Sequence, residues 1–255
     1  MITDIIIPVW NNLRLTKQCV KTIKAFTWGI DYRILIINDG STDNTENWLE
    51  AIHKLQVPLI DHITLPANTG FNHAVNEGLR NIRDNAQYVV IMNNDIQVRD
   101  NDWLISLILL ARNYGRVGQK VGAVVPTTTD FSSRQSVLYN DGKWYEEVGY
   151  VPMSCMLLPV KVVKEIGYLD ESLDPNCQAD LDYCIRLVDA GYKIIVNRKI
   201  LVNHEKNATT KIHPLFQSKE YHDRNYDKMT NLVEKWGKER VRQLFCYQRF
   251  RLSDK

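Results

Sequence analysis

The sequence predicts an α/β protein in which helices cover both faces of a mostly parallel central sheet. Strand-like and helix-like segments alternate along most of the chain, as in proteins of this class. The run Tyr88–Met92 is mainly apolar, as expected of a strand that is buried on both faces. Asn93, Asn94 and Asp95 follow it directly, and open α/β sheets bind ligands beyond the carboxyl ends of their strands.

The individual elements follow from periodicity and from the residues that interrupt it. Apolar runs predict strands at 2–9, 33–37, 60–65, 88–92, 121–126, 153–159 and 193–202. Helical spacing of apolar residues predicts helices at 13–26, 70–82, 103–113, 160–166 and 179–190. A further helix follows the second strand, with Thr42 or Asp43 as its cap. Phe131 to Gly149 lacks a pattern, which indicates a flexible loop or a hairpin that turns at Asn140-Asp141-Gly142.

Composition limits the class of protein. The chain has 255 residues, of which 44% are hydrophobic and 24% charged, so it has the composition of a soluble globular protein. A net charge of +2 indicates neither a nucleic acid nor an acidic partner. The five cysteines form no CxxC pair, which favours buried thiols over disulfides or a zinc site. We find no signal peptide and no apolar run long enough to cross a bilayer, so a cytoplasmic location is predicted.

The end of the chain is basic and periodic. From Glu205 onward there are 12 Lys+Arg against 7 Asp+Glu, a surplus of five positive charges. Apolar residues at helical spacing, such as Leu232, Val233 and Trp236, predict amphipathic helices that pack on the domain or on a partner.

A series of sequence blocks resembles the family-2 glycosyltransferases. In chain order the blocks read IIIPVWNN, ILIINDGSTD, NTGFNHAVNEGL, VVIMNND, MSCMLLPVKVVKEIGYLDE, ADLDYCIRLVDAGYKI and VNH. The resemblance covers roughly residues 1–210 and implies one Rossmann-like domain of the GT-A type. It implies a nucleotide-binding half at 1–100 and an acceptor and catalytic half at 101–210, which leaves 211–255 as a basic helical extension.

The resemblance assigns the nucleoside to residues that follow the first three strands. These residues are Pro8, Val9, Asn11, Asp39, Asn68 and Gly70. Asp39 is expected to accept a hydrogen bond from N3–H of uracil or thymine, while Asn68 and Gly70 lie beneath the base and ribose. Alternatively, Asp39 is an Asx-turn residue that satisfies its own loop, and Gly70 only permits a tight turn before a helix.

The segment at 93–95 stands where the family carries its DxD metal motif. Asp95 matches the metal-binding carboxylate, and Asn93 replaces the first Asp as a neutral contact to the nucleotide-sugar, with Asn94 between them. His204, at the end of the last strand, matches a second metal ligand, and Lys206 is placed to contact a phosphate. Mn²⁺ or Mg²⁺ is the implied cofactor. The alternatives are an ordinary turn, a satisfied histidine and a solvated lysine.

Asp180 is the implied catalytic base. It matches the second residue of a Glu-Asp pair at the start of a helix, and Ala179 replaces the Glu. One carboxylate is enough to take the acceptor proton in a direct displacement, and the helix N-terminus favours its charged form. The alternative is that Asp180 only caps the helix.

Two further residues are candidates for the acceptor side of the site. Asp182 lies two residues beyond Asp180, but its spacing to Arg186 also predicts an i,i+4 ion pair. Trp144 lies in the unpatterned stretch, where an exposed aromatic ring can stack on a sugar.

Together these features predict an inverting, metal-dependent glycosyltransferase that uses a UDP- or dTDP-sugar and a glycan or lipid-linked glycan acceptor. The basic extension would dock on the inner face of a membrane or form a homodimer. Three alternatives stay open: a nucleic-acid acceptor, a nucleotidyltransferase, and a non-catalytic nucleotide-binding scaffold. PVWNN lacks the glycine-rich loop of nucleotidyltransferases, whereas Asn93 and Ala179 motivate the scaffold.

Overall fold

A computed structural model describes residues 1–116, 118–129, 142–173, 179–205, 232–241 and 243. The strands in these ranges are β1 (Ile2–Val9), β2 (Asp31–Asp39), β3 (Ile60–Leu65), β4 (Tyr88–Met92), β5 (Ile96–Gln97), β6 (Val121–Thr128), β7 (Tyr145–Val148), β8 (Cys155–Pro159) and β9 (Lys193–His204). The helices are α1 (Leu13–Phe26), α2 (Thr45–Lys54), α3 (Phe71–Arg80), α4 (Trp103–Arg116), α5 (Val160–Ile166) and α6 (Ala179–Asp189). A short 3₁₀ helix spans Glu171–Leu173.

The strands form one sheet in the order β3-β2-β1-β4-β8-β6-β9-β5, with β7 paired to β9. The pairs β2–β3, β1–β2, β1–β4 and β6–β9 are parallel. Strand β8 is antiparallel to both β4 and β6, and β5 and β7 are antiparallel to β9. The mostly parallel sheet is therefore confirmed, and the carboxyl ends of β1, β2, β4 and β9 lie along the same edge.

Helices cover both faces of the sheet, as the sequence predicts. Because side chains alternate along a strand, Ile5 and Ile7 of β1 pack on one face with α1, α2 and α4. Ile6 packs on the opposite face with α3, α5 and α6. The two apolar clusters hold the sheet between the helices, so the edge formed by the strand ends is fixed from both sides.

Several element boundaries differ from the prediction. Strand β2 extends to Asp39, and β6 extends to Thr128. The prediction that Thr42 or Asp43 occupies the cap position of α2 is wrong by one or two residues, because Asn44 holds that position. Asp43 instead binds the first residue of two helices. Its Oδ1 accepts a hydrogen bond from the Thr45 amide of α2 at 2.9 Å, and its Oδ2 accepts one from the Leu13 amide of α1 at 3.1 Å.

Part of the unpatterned stretch forms a strand. Residues 145–148 form β7, which pairs with β9 through the register of Tyr145 with Asn197. Asn140 and Asp141 of the predicted turn lie outside the described residues. Cys19, Cys155 and Cys184 are buried free thiols, as predicted, whereas Cys177 and Cys246 also lie outside the described ranges.

The described part of the basic extension packs on the domain. Residues 232–236 and 238–241 are helical, and Leu232 and Val241 are buried against Leu173, Leu181 and Ile185. Of the two predicted uses of the apolar face, packing on the domain is therefore the one observed for this segment. Within the described ranges, no helix combines the length and hydropathy that a transmembrane span requires.

Candidate functional site

Strand β5 brings Asp95 beside His204. Immediately after Asp95 the chain pairs antiparallel with the end of β9, where Ile96 faces His204 in the register. The Glu205 amide donates to the Asp95 carbonyl oxygen at 3.1 Å. As a result, His204 Nε2 and Asp95 Oδ1 are 3.3 Å apart, and their side chains are 13% and 8% exposed. Two residues more than one hundred positions apart thus form a single polar pair at the strand edge.

This pair fits a divalent cation. Asp95 Oδ1 is buried and has no hydrogen-bond partner, since the His204 contact has the distance of an ion pair without hydrogen-bond geometry. A buried carboxylate oxygen without a donor is unfavourable unless a cation compensates it. The described residues contain no cluster of three or more His, Cys, Asp or Glu that could hold a metal. A cation here would therefore take Asp95 and His204 and complete its coordination with oxygens of a ligand or of water.

The turn that carries Asp95 is anchored on both sides. The Asn93 amide donates to the Ser154 carbonyl at 2.9 Å. The buried side chain of Asn94 donates through Nδ2 to Thr16 Oγ1 on α1 at 3.0 Å. Asn94 thus binds the turn to helix α1 in this conformation, and the anchored backbone holds Asp95 toward β9.

Asp39 joins the loops that follow β2 and β3. Its Oδ1 accepts hydrogen bonds from the Thr69 amide and hydroxyl, both at 2.7 Å, and its Oδ2 accepts one from the Gly70 amide at 3.0 Å. Asn68 donates through Nδ2 to the Asp39 carbonyl at 3.4 Å. The residue that satisfies its own loop is Asn38, whose Oδ1 accepts from the Ser41 amide at 3.1 Å. The contacts of Asp39 are therefore between loops, unlike those of an Asx turn.

The two loops meet so closely that a glycine is required. Gly40 has φ +64°, and a Cβ atom on it would lie 2.4 Å from the carbonyl carbon of Ala67. A side chain at this position would separate the loops or distort one of them. Gly40 therefore sets the spacing between the segment of Asp39 and the segment of Asn68.

Asn11 holds the end of β1 to the same loop. Its amide donates to Ser41 Oγ at 2.8 Å, and its Oδ1 accepts from the amides of Thr42 and Asp43 at 2.7 and 3.1 Å. Pro8 and Val9 are the last two residues of β1 and are buried, and Val9 belongs to the apolar cluster on the α1 face. The structure thus brings Asn11, Asp39, Asn68 and Gly70 together, with Pro8 and Val9 packed behind them.

Asp180 lies in the first turn of α6. Its Oδ2 accepts a hydrogen bond from Tyr150 Oη at 2.8 Å, and its Oδ1 accepts one from the Leu181 amide at 2.8 Å. Burial raises the pKa of Asp180 to about 6, although the Tyr150 hydrogen bond acts in the opposite direction. Ala179, at the position of the replaced Glu, is buried in the apolar core. A carboxyl group with a pKa in this range can act as a base near neutral pH.

Asp182 is fully buried and surrounded by donors. Arg186 Nε lies 2.9 Å from its Oδ2, which confirms the i,i+4 ion pair that the spacing predicts. Lys235 Nζ and Trp236 Nε1 both lie 2.8 Å from its Oδ1. In this conformation the Asp182 side chain is therefore bound to protein donors from α6 and from the C-terminal segment.

The last two candidates, Trp144 and Lys206, are not among the residues that the structure brings together. Trp144 is 73% exposed, its carbonyl accepts from the Arg198 amide at 3.0 Å, and Lys199 Nζ lies 5.7 Å from its ring. Arg198 precedes His204 by six positions on β9, so Trp144 lies beside β9 away from its end. Lys206 lies outside the described residues.

Residues 4–167 match the model of the family described as Glycosyl transferase family 2. The chain belongs to this glycosyltransferase family. The matched range contains Asp39 and Asp95 and ends before Asp180 and His204. The choice of Asp180 and His204 as candidates therefore depends on the sequence resemblance and on the geometry described above.

Relatives of this family-2 member are distant in sequence. The pre-mycofactocin glycosyltransferase of Mycobacterium tuberculosis strain H37Rv is 22% identical over 215 residues, which are 79% of this chain and 42% of that protein. The mannosyltransferase PcManGT of Pyrobaculum calidifontis, solved with GDP-Man and Mn²⁺, has a TM-score of 0.64 at 17% identity and covers 84% of this chain and 60% of its own. GalNAc-T7, solved with UDP, GalNAc and Mn²⁺, has a TM-score of 0.64 at 14% identity, with 79% and 43% covered.

These likenesses confirm the GT-A fold for this family-2 member. The chain spans less than half of the M. tuberculosis relative. Around Asp180 and Asp182, three of the described contacting residues were not predicted from the sequence: Tyr150, Lys235 and Trp236. Tyr150 lies three residues before the block that begins at Met153, but no local spacing connects any of the three with α6.

Proposed function

We propose that this protein is an inverting, metal-dependent glycosyltransferase. It transfers a sugar from a UDP- or dTDP-sugar to a hydroxyl group of a glycan or lipid-linked glycan. The observation that carries the proposal is the Asp95–His204 pair, because a buried carboxylate oxygen without a hydrogen bond faces an imidazole nitrogen at 3.3 Å. Membership of glycosyl transferase family 2 supplies the class of reaction.

Asp95 and His204 would hold Mn²⁺ or Mg²⁺. A divalent cation supplies electrostatic stabilisation of the negative charge that develops on a departing diphosphate. Mn²⁺ is favoured because both solved neighbours named above contain it. Lys206, two residues beyond His204, is proposed to contact a phosphate as a point charge.

The nucleoside is placed along the ends of β1 and β2. Asp39 Oδ2 accepts a single described hydrogen bond, and a carboxylate oxygen can accept a second one, here from N3–H of uracil or thymine. Asn11, Asn68 and Gly70 form the surrounding wall, and Asn93 and Asn94 border the diphosphate. One solved neighbour holds GDP-Man and the other holds UDP, so the base is the property to test first.

Asp180 is proposed as the general base. Its charged form takes the proton from the acceptor hydroxyl while the oxygen bonds to the anomeric carbon, and the bond from that carbon to the diphosphate breaks on the opposite face. The attack therefore inverts the anomeric centre. A pKa of about 6 leaves most of the carboxyl group charged at neutral pH and still makes it a stronger base than an ordinary aspartate.

The acceptor side is the least defined part of the proposal. Trp144 offers an exposed aromatic ring on which a sugar can stack. Asp182 is fully buried and bound to Arg186, Lys235 and Trp236, so it would support the helical turn of the base without contacting the acceptor. The basic extension supplies positive charge for an anionic membrane surface at the inner face, or a surface for a second copy of the chain. A nucleic-acid acceptor would reveal itself by activity that requires duplex DNA.

The test is thermal unfolding with UDP, dTDP, GDP, CDP and ADP, each with and without Mn²⁺. A ligand at about 100 times its Kd stabilises the folded state by roughly 2.7 kcal/mol, which is visible as a higher Tm. We expect a shift with UDP or dTDP that needs Mn²⁺. Asp95→Asn should abolish the metal dependence, whereas Asp84→Asn, which changes an exposed carboxylate elsewhere, should preserve it.

The same samples separate the remaining alternatives. Release of UDP or dTDP from a panel of UDP- and dTDP-hexoses shows transferase chemistry, with water as the acceptor when no sugar acceptor is present. Metal-dependent nucleotide binding without any release or transfer would instead favour the non-catalytic scaffold. A Tm that responds to no nucleotide would contradict the proposal.

A further inference from the structure

We infer that Tyr150 and the C-terminal segment 232–241 position the candidate base Asp180, with Tyr150 holding its carboxylate directly and Trp236 and Lys235 holding the helical turn beneath it. This inference rests on the proposed function for the role of Asp180. The contacts themselves are independent of that role. Together with that role, they would make segment 232–241 part of the catalytic unit.

The first step is the direct contact. Tyr150 Oη donates to Asp180 Oδ2 and the Leu181 amide donates to Oδ1, both at 2.8 Å. Donors on the two oxygens fix the plane of the carboxylate, which also accepts from its own backbone amide and keeps a lone pair for an acceptor proton. Removing the tyrosine hydroxyl would leave the carboxylate free to rotate.

The second step is the packing of the tyrosine ring. Tyr150 packs against a cluster formed by Leu173, Leu181, Ile185, Leu232 and Val241. Two members of this cluster, Leu232 and Val241, belong to the C-terminal segment. The ring therefore packs on a cluster that α6 and the segment share, and it also packs on the apolar cluster that contains Ile6. The segment thus contributes to the packing that places the Tyr150 hydroxyl.

The third step is the charge that ties the segment to α6. Lys235 Nζ lies 2.8 Å from Asp182 Oδ1 and 2.7 Å from Asp170 Oδ2, and Trp236 Nε1 also donates to Asp182 Oδ1. Arg240 forms an ion pair with Asp189 at the other end of the helix. A fully buried carboxylate such as Asp182 is strongly unfavourable when its partners are removed. Lys235 and Trp236 thus bind the segment to the turn of α6 that contains both Asp180 and Asp182.

Several charged or titratable groups surround Asp180. Tyr150 comes from the connection between β7 and β8, Asp182 and Cys184 lie on α6, and Lys235 approaches through Asp182 from the C-terminal segment. Burial raises the pKa of the Cys184 thiol far above neutral pH, so this group stays uncharged. Because the Tyr150 hydrogen bond lowers the pKa of Asp180, its removal should raise that pKa.

The experiment compares Tyr150→Phe with Tyr168→Phe, a half-exposed tyrosine that contacts Arg80. We expect Tyr150→Phe to lower kcat roughly tenfold, since small misplacements of a catalytic group reduce turnover strongly. The acidic limb of the kcat–pH profile should move to higher pH, while the Tm shift with UDP and Mn²⁺ stays unchanged. Tyr168→Phe should change none of these quantities.

The C-terminal half of the inference is tested by Trp236→Phe, which keeps an aromatic ring but removes the donor to Asp182. Trp28→Phe is the matched control, because Trp28 is exposed and lies in the connection between α1 and β2. We expect Trp236→Phe to lower kcat and to move the pH profile in the same direction. The double variant with Tyr150→Phe should lose less than the product of the two single effects, because both act through Asp180. Lys235→Arg should retain activity that Lys235→Met loses.

Titration of the Asp180 carboxyl carbon by ¹³C NMR separates this inference from the proposed function. If the wild type neither binds nucleotides nor releases them, but the Asp180 titration moves in Tyr150→Phe and Trp236→Phe, the positioning contacts stand and the proposed function fails. If nucleotide binding is intact and both variants keep the wild-type titration and kcat, the inference is overturned. A response in Tyr150→Phe alone would overturn the role of the C-terminal segment.

Discussion

The proposed nucleotide-binding half, around Asp39, and the α6 half, around Asp180, are stabilised by different kinds of contact. Around Asp39 the loops are joined by backbone amides and short polar side chains, and Gly40 lets them approach to van der Waals limits. Around Asp180 the helix is joined to a distant segment by the buried charge of Asp182. The partners of Asp39 lie about thirty positions further along the chain, whereas those of Asp182 in the C-terminal segment lie more than fifty positions away.

The largest expected effect comes from Asp180→Asn. The amide cannot accept the proton of the acceptor hydroxyl, so kcat should fall roughly 10²- to 10⁴-fold, the range that general-base catalysis contributes. The Tm shift with UDP and Mn²⁺ should persist, because the nucleotide-binding half is untouched. Asp84→Asn serves as the control. Undiminished turnover by Asp180→Asn would remove this residue from the mechanism.

The comparison between the halves is sharpened by Asp182→Asn. The change leaves Arg186 and Lys235 without their common carboxylate, and we expect a loss of about 2–3 kcal/mol in the free energy of unfolding. The figure lies below that for a fully buried pair because Lys235 is 38% exposed and can regain water. Urea denaturation measures the loss. Asp189→Asn, which breaks the more exposed pair with Arg240, should lose much less.

This contrast also explains how much the sequence predicts. The strands at 2–9 and 88–92 match the structure because apolar runs leave few alternatives. Asp95, Asp39 and Asn11 could be proposed because they lie in the sequence blocks that resemble family-2 glycosyltransferases. The tie of Asp182 to Lys235 and Trp236 had no local signal, since only the folded chain brings residue 182 to residue 235. Of the Asp182 contacts, only the one to Arg186 was predictable, because a helix fixes i,i+4 neighbours.

The nucleotide-binding half has its own test in Gly40→Ala. The new Cβ would lie 2.4 Å from the backbone of Ala67, and the residue would also keep φ +64°. We expect a loss of about 2 kcal/mol in the free energy of unfolding and a weaker Tm shift with UDP and Mn²⁺. Gly29→Ala is the matched control, because Gly29 has φ +68° with nothing within 4 Å. Equal losses in the two variants would show that backbone strain, rather than loop contact, explains the effect.

The smallest effect is the pH dependence of the α6 half. Because burial raises the pKa of Asp180 to about 6, kcat should fall about tenfold per pH unit below 6 as the base becomes protonated. The pKa of Asp180 is higher in the folded state than in the unfolded chain, so the free energy of unfolding falls as the pH rises from the unfolded pKa to about 6. Charging this base therefore destabilises the folded state. Asp180→Asn should therefore be at least as stable as the wild type at pH 8 and should gain nothing at pH 4. Nucleotide binding by the other half, measured by the same Tm shift at saturating Mn²⁺, should have the same pH dependence in Asp180→Asn as in the wild type, because the metal ligands and not Asp180 set it. A pH dependence of nucleotide binding that changes in Asp180→Asn would mean that the two halves share a titrating group and that the division drawn between them is wrong.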